Sequence, residues 1–114
     1  MSRQRQIRGK WAENWVQEYL QRRGYVMIAA NLRTPWAQVD LVIESPRGRI
    51  FLLEVKFLSE AFSPEQRLGK IQEQRLGRAR QFLSSVYGKP VGFGLAFVES
   101  TRKIRFFNLD DSSR

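Results

Sequence analysis

The chain contains no cysteine and no histidine. The first absence excludes a disulfide framework, a thiolate nucleophile and a zinc finger, and it suits a reducing cytoplasm. The second removes Ser-His and Cys-His hydrolases and histidine-ligated metal centres. Any acid–base or metal chemistry is left to Asp, Glu, Lys, Tyr and Arg. No apolar run approaches the ~20 residues of a membrane span, and no apolar stretch follows the basic N-terminus, so neither a transmembrane segment nor a signal peptide is expected. Repeats and low-complexity linkers are also lacking. Acid is scarce: 11 Asp and Glu stand against 20 Lys and Arg, a formal charge of +9. Such a surface attracts polyanions, nucleic acid first and anionic membrane second. A merely soluble basic protein is the plainer alternative.

What is present is enough for one domain. With 114 residues and 42% hydrophobic composition, the chain can bury a real core. The segment "GKWAENWVQEYLQRRGY" reads as a helix stopping at Gly24, with Trp11, Ala12, Trp15, Val16, Tyr19 and Leu20 on one broad apolar face. Glu13 and Glu18 lie at opposite edges of that face, and periodicity does not choose between them. "YVMIAAN" reads as a strand. "SPRG", between two further strand patterns, carries turn chemistry, with Pro46 preset for a bend and Gly48 able to take positive φ. A three-residue loop pairs Ser45 with Arg49 and predicts Val39 opposite Val55, Leu41 opposite Leu53 and Ile43 opposite Phe51 as one apolar face. On the other face it sets Asp40 opposite Glu54, Val42 opposite Leu52 and Gln38 opposite Lys56. "SPEQ" is a capping-box pattern opening a second helix that runs to Tyr87, with Leu68, Ile71, Leu76, Ala79, Phe82, Leu83 and Val86 on one face. Gln72 and Arg75 fall within that face and so need a polar pocket. "VGFGLAFVE" and "KIRFFNL" supply the last strands, the first with Gly92 and Gly94 open to close packing by a helix. The expected fold is α/β, a single αβββαββ domain with a mixed central sheet flanked by helices. It covers 1–114, with a flexible basic arm at 1–8 and a flexible tail at 110–114.

Two carboxylates on adjacent strands repel, more so when half-buried. One is protonated, or a cation such as Lys56 neutralises them, or a divalent metal lies between them. Oxygen ligands without His or Cys favour Mg²⁺ or Mn²⁺ over zinc. A structural ion pair between Glu54 and Lys56 is the bland alternative.

The motifs "GKWAE", "YLQRRGY", "ANLR", "QVDLV", "LLEVK" and "QEQRLGRARQFL" resemble those of the YraN-like bacterial family within the PD-(D/E)XK nuclease superfamily. The chain is also similar in plan to archaeal Holliday junction resolvases. The likeness spans roughly residues 9–108 and implies a restriction-endonuclease-like fold. It further implies that Asp40 is the motif aspartate, Glu54 and Lys56 the Glu-x-Lys pair, Glu13 the acid of the first helix and Gln72 a helical polar partner. Asp40, Glu54 and Glu13 are then the expected metal ligands, with Mg²⁺ or Mn²⁺ as cofactor, and Glu13, Asp40, Glu54, Lys56 and Gln72 the catalytic set. The pattern departs at Ala37-Gln38, where Gly-Glu is usual, at Leu58, where arginine is frequent, and at Gln72, where lysine is common. The expectation is a cytoplasmic phosphodiester hydrolase acting on nucleic acid, DNA before RNA, with no membrane partner and a homodimer left open. A non-catalytic nucleic-acid-binding protein of the same fold is the alternative, and an adaptor using exposed aromatics is a third. Arg3, Arg5, Arg8, Lys10, Arg22, Arg23, Arg33 and Arg75 are the candidate nucleic-acid contacts. Trp36 stacks on a base or caps the core.

Overall fold

The computed structural model describes residues 3–58 and 70–109, with side chains over 9–58 and 73–109. The order is α1 (Arg3–Gln21), β1 (Val26–Arg33), β2 (Gln38–Glu44), β3 (Ile50–Phe57), α2 (Lys70–Tyr87), β4 (Val91–Val98) and β5 (Ile104–Phe107). The strands form one five-stranded sheet in sequence order. Among the described strands only β3 and β4 pair in parallel, because α2 carries the chain back across the sheet between them. The αβββαββ plan read from the sequence is therefore the observed one.

Each helix seals one face. On the α1 side, Ala12, Val16 and Leu20 are buried against Leu41, Ile43, Phe51, Leu53, Val55, Ala96 and Val98. On the α2 side, Leu76, Ala79 and Leu83 are buried against Val39, Val42, Ile50, Leu52 and Val91. The exit of α1 follows from Gly24, which takes φ +91°. There the Tyr25 N–H donates to Leu20 O at 3.1 Å and the Gly24 N–H to Gln21 O at 3.1 Å, closing the helix in a Schellman motif. Among the described residues no helix is long and apolar enough to cross a membrane.

The hairpin has the expected three-residue loop. Ser45 N–H donates to Arg49 O at 2.7 Å, Gly48 sits at φ +86°, and the ladder pairs Glu44 with Ile50 through to Leu41 with Leu53.

Five expectations change. The β2–β3 ladder stops at Leu41–Leu53, so Val39 does not share the side of Val55 and Gln38 does not pair with Lys56. Val39 instead pairs with Leu32 of β1 and packs beneath α2. The backbone of Arg3, Arg5 and Arg8 is already helical rather than an arm before α1, and their side chains lie outside the described residues. Arg75 points to solvent and not into the packing face, and Phe82 and Val86 are 37% and 59% exposed, so the buried stripe of α2 is narrower than the apolar pattern implies. The space left by Gly92 is filled by the Phe51 ring of the adjacent strand, which a Cβ there would meet at 2.8 Å, and not by a helix. The expected cap at Ser63 and Gln66, and the 110–114 tail, lie outside the described residues.

Candidate functional site

The place where the β2–β3 ladder stops is the place where its two acids sit. Beyond Leu41–Leu53, side chains replace main chain as hydrogen-bonding partners. The Val55 N–H donates to Asp40 Oδ2 at 2.8 Å, and the Asp40 N–H donates to Glu54 Oε2 at 3.3 Å. Each carboxyl thus satisfies an amide of the opposing strand that the ladder has left unpaired. The exchange fixes both carboxyl groups in a narrow space while leaving each a second oxygen. Glu54 is only 2% exposed and Asp40 is half-buried.

Electrostatics follow from that burial. Removal from water first, and the neighbouring Asp40 charge second, push the Glu54 carboxyl up to about 8 against the opposing pull of the Asp40 amide and Lys56. Asp40 is raised as well, chiefly by burial, while the Val55 amide, the Lys56 charge and a hydrogen bond with the Glu54 side chain work the other way. Both carboxyl groups are thus raised, and their burial side by side favours keeping a proton on the pair as a unit. Lys56 lies two residues along β3 and projects to the same side as Glu54.

Two further residues complete the cluster. Glu13, half-buried on α1, is raised by its own burial and then by the Asp40 charge, with Lys10 and a side-chain hydrogen bond from Asn31 opposing. Asn31 lies on β1 between the pairs Ala30–Leu41 and Leu32–Val39, which sets it beside Asp40. Its φ of +53° is left-handed, a conformation that Asn tolerates better than most residues. Sequence reasoning missed Asn31 as a site residue. The signal was its place in "ANLR", a polar residue of αL-tolerant type ending an apolar strand run.

The structure thus brings Glu13, Asp40, Glu54 and Lys56 into one electrostatic neighbourhood at one end of the sheet. Gln72 lies on α2, and its side chain is outside the described residues. Among the described residues no three Asp or Glu side chains stand together as a ready ligand set, so Glu13 lies outside the Asp40–Glu54 pair rather than within it. Two carboxylates with hard oxygen donors still fit Mg²⁺ or Mn²⁺, since Mg²⁺ is ordinarily held by one or two carboxylates with waters and phosphate oxygens completing its shell.

The candidate cationic contacts divide. Arg33 closes β1 opposite Gln38, at the acidic end of the sheet. Lys10 is exposed on α1 and acts on Glu13. Arg22 and Arg23 belong to the other end, where Gly24 lies against Pro46 of the hairpin turn. Arg22 is paired with Glu18 at 2.8 Å, and Arg23 lies 3.6 Å over the Tyr19 ring. Their place at the exit of α1, dictated by the Schellman turn, separates them from Asp40 by the length of β2. Arg75 stands on α2 near Trp36, whose ring meets Phe82 at 5.6 Å and remains 38% exposed.

Comparison with known proteins adds family and fold. A model of the uncharacterised protein family UPF0102 matches residues 12–106. A UPF0102 protein of Syntrophotalea carbinolica is 33% identical over 85 residues, covering 72% of this chain and 68% of its own length. A UPF0102 protein of Thermus thermophilus is 31% identical over 99 residues, covering 85% and 88%. Among solved structures, Hjc, a Holliday junction resolvase of Archaeoglobus fulgidus, aligns over 87% of this chain and 80% of its own with a TM-score of 0.56 at 19% identity. At that identity the likeness is one of fold.

Proposed function

Since the chain belongs to the uncharacterised protein family UPF0102, the YraN-like family its motifs resemble, we propose that it is a divalent-metal-dependent nuclease hydrolysing phosphodiester bonds of nucleic acid, DNA foremost. The observation that carries this reading is the reciprocal capture of Asp40 and Glu54 across the end of the β2–β3 ladder, with Lys56 alongside. A structural Glu54–Lys56 ion pair would need only one acid. Here two acids, one buried and one half-buried, are held together with both carboxyl groups raised, an arrangement a dication would relieve.

Asp40 and Glu54 are the residues that would hold Mg²⁺ or Mn²⁺, which when bound supplies Lewis acidity toward a phosphoryl oxygen and lowers the pKa of a bound water. Lys56 sets its ammonium beside both carboxyl groups, where it orients an attacking water and offsets charge that builds on the phosphoryl oxygens. Glu13, held by Asn31, adds negative charge next to Asp40 and positions the outer shell of water. Arg33 is placed to contact a flanking phosphate. Gln72 is assigned the orienting role that its family position implies. The resolvase fold and the +9 charge support nucleic acid as the substrate, and a cytoplasmic site of action belongs to the same proposal.

A cleavage screen tests it. Linear duplex, branched and single-stranded substrates are incubated with Mg²⁺ or Mn²⁺, beside Asp40→Ala and chelator controls. The expected result is metal-dependent cleavage that Asp40→Ala abolishes. Cleavage surviving in Asp40→Ala would overturn the assignment of the site. Salt-sensitive binding without cleavage under either metal would replace it with the non-catalytic nucleic-acid-binding reading.

A further inference from the structure

Beside the acidic site, α2 and the β1–β2 loop enclose an open groove of about 870 Å³. Its wall is aromatic and its flank is cationic. Trp36 stands on the loop side, and Arg75, Arg78, Arg80 and Gln81 line the helix side. From Gln74 to Tyr87 the helix holds three arginines and no acid. Arg75 and Arg78 are exposed, and neither makes an ion pair or hydrogen bond among the described residues. Arg75, Arg78 and Phe82 follow at i, i+3 and i+7, so the two guanidinium groups share a helix face with the ring on which Trp36 rests.

The tryptophan is held in place before any ligand arrives. Thr34 Oγ1 accepts from the N–H groups of Trp36 at 3.3 Å and Ala37 at 3.0 Å, and donates to Ala37 O at 2.6 Å. Gly77 also borders this space, but it sits two residues from Arg75, about 200° around α2, on the flank that faces Phe93 and Asn108.

We propose that this groove takes a single-stranded stretch of nucleic acid, one base stacking on Trp36 while Arg75 and Arg78 bind the adjoining phosphates. Stacking on an aromatic face accepts any base, and it is available only where bases are unpaired. Trp36 precedes Asp40 by four residues, partly in the turn that Thr34 closes, so the two stand at most about 14 Å apart, a span of a few nucleotides. The substrate so defined has an unpaired segment beside the phosphodiester at Asp40 and Glu54. This rests on the nucleic-acid reading above and narrows its substrate class.

Binding of a labelled oligothymidine and of a blunt duplex of equal length is measured by fluorescence anisotropy in chelator, so that cleavage plays no part. The full chain is compared with Trp36→Ala and with the double variant Arg75→Gln and Arg78→Gln, and thermal melts verify that each variant is folded. Trp36→Ala is expected to weaken oligothymidine binding roughly tenfold while leaving duplex binding unchanged. The double arginine variant is expected to lower the slope of log affinity against log salt by about 1.4. Equal losses on both ligands, or no loss on either, would overturn the proposal. If that occurs while Asp40-dependent cleavage of duplex persists, the groove assignment falls and the nuclease reading stands. If no nucleic acid binds at all, both fall.

Discussion

Asp40 and Glu54 each commit one oxygen to the main chain of the opposing strand, and that economy makes their ionisation a folding matter. Glu54 lies at about 8 against an ordinary 4.5, mainly through burial, and Asp40 is displaced in the same direction. A carboxyl whose folded pKa is raised stabilises the fold while it is protonated in both states, and that contribution fades as pH climbs through the folded value. The metal-free protein is therefore expected to lose stability between about pH 5 and about pH 9, on the order of a few kcal/mol, in urea melts. Glu54→Gln, which keeps the shape of the protonated group, should flatten that slope and be the more stable form at about pH 9. An unchanged slope would show that the pair does not retain its proton. Asn31 offers a second residue-scale test. Asn31→Gly keeps the left-handed backbone and removes only the bond to Glu13, whereas Asn31→Ala adds about 1–2 kcal/mol of backbone strain. Thermal melts should rank alanine below glycine in stability, while both lose activity through Glu13.

At the scale of the element, β3 and β4 are matched by subtraction. Gly92 and Gly94 of β4 leave room for Phe51 and Leu53 of β3, and the Phe51 ring is 1% exposed beneath α1. A methyl at position 92 would lie 2.8 Å from that buried ring. Gly92→Ala is thus expected to cost about 1–3 kcal/mol in urea denaturation, and a neutral result would mean the ring yields. The same elements show what is readable in advance. Pro46 and Gly48 fix a loop length, and the alternation of Leu41, Ile43, Phe51 and Leu53 fixes a register, because both signals are local. The stop at Asp40 was not readable, since it depends on a carboxyl displacing a main-chain partner on another strand. The narrow buried stripe of α2 was hidden for a similar reason: Phe82 and Val86 look like core until Trp36 is seen resting on the helix from outside.

For the whole molecule, the sheet sets the Asp40–Glu54 pair at one end and divides the basic residues. Arg33 stands at the acidic end and Arg75 and Arg78 line the groove with Trp36, while Arg22 and Arg23 are tied to Glu18 and Tyr19 at the other end. Strand pattern and family likeness together made the site legible from sequence: the pattern marks Asp40, Glu54 and Lys56, and the likeness selects Glu13 over Glu18. Asn31 and the groove were not, because a left-handed φ and a cleft between loop and helix exist only once the chain is folded. With a net charge of +9, nucleic-acid affinity should fall linearly with log salt, by about 0.9 in log units per phosphate engaged on duplex. A salt-independent affinity, read by anisotropy, would favour a protein partner instead.

Metal binding is proposed to displace a proton from the Asp40–Glu54 pair, whose carboxyl groups are both raised by burial. Calorimetric titration with Mn²⁺ near neutral pH, repeated in buffers of different ionisation enthalpy, measures metal uptake and proton release together. The account predicts binding accompanied by release of about one proton, and loss of both in Asp40→Asn. Mn²⁺ uptake that releases no proton, or that survives Asp40→Asn undiminished, would contradict it.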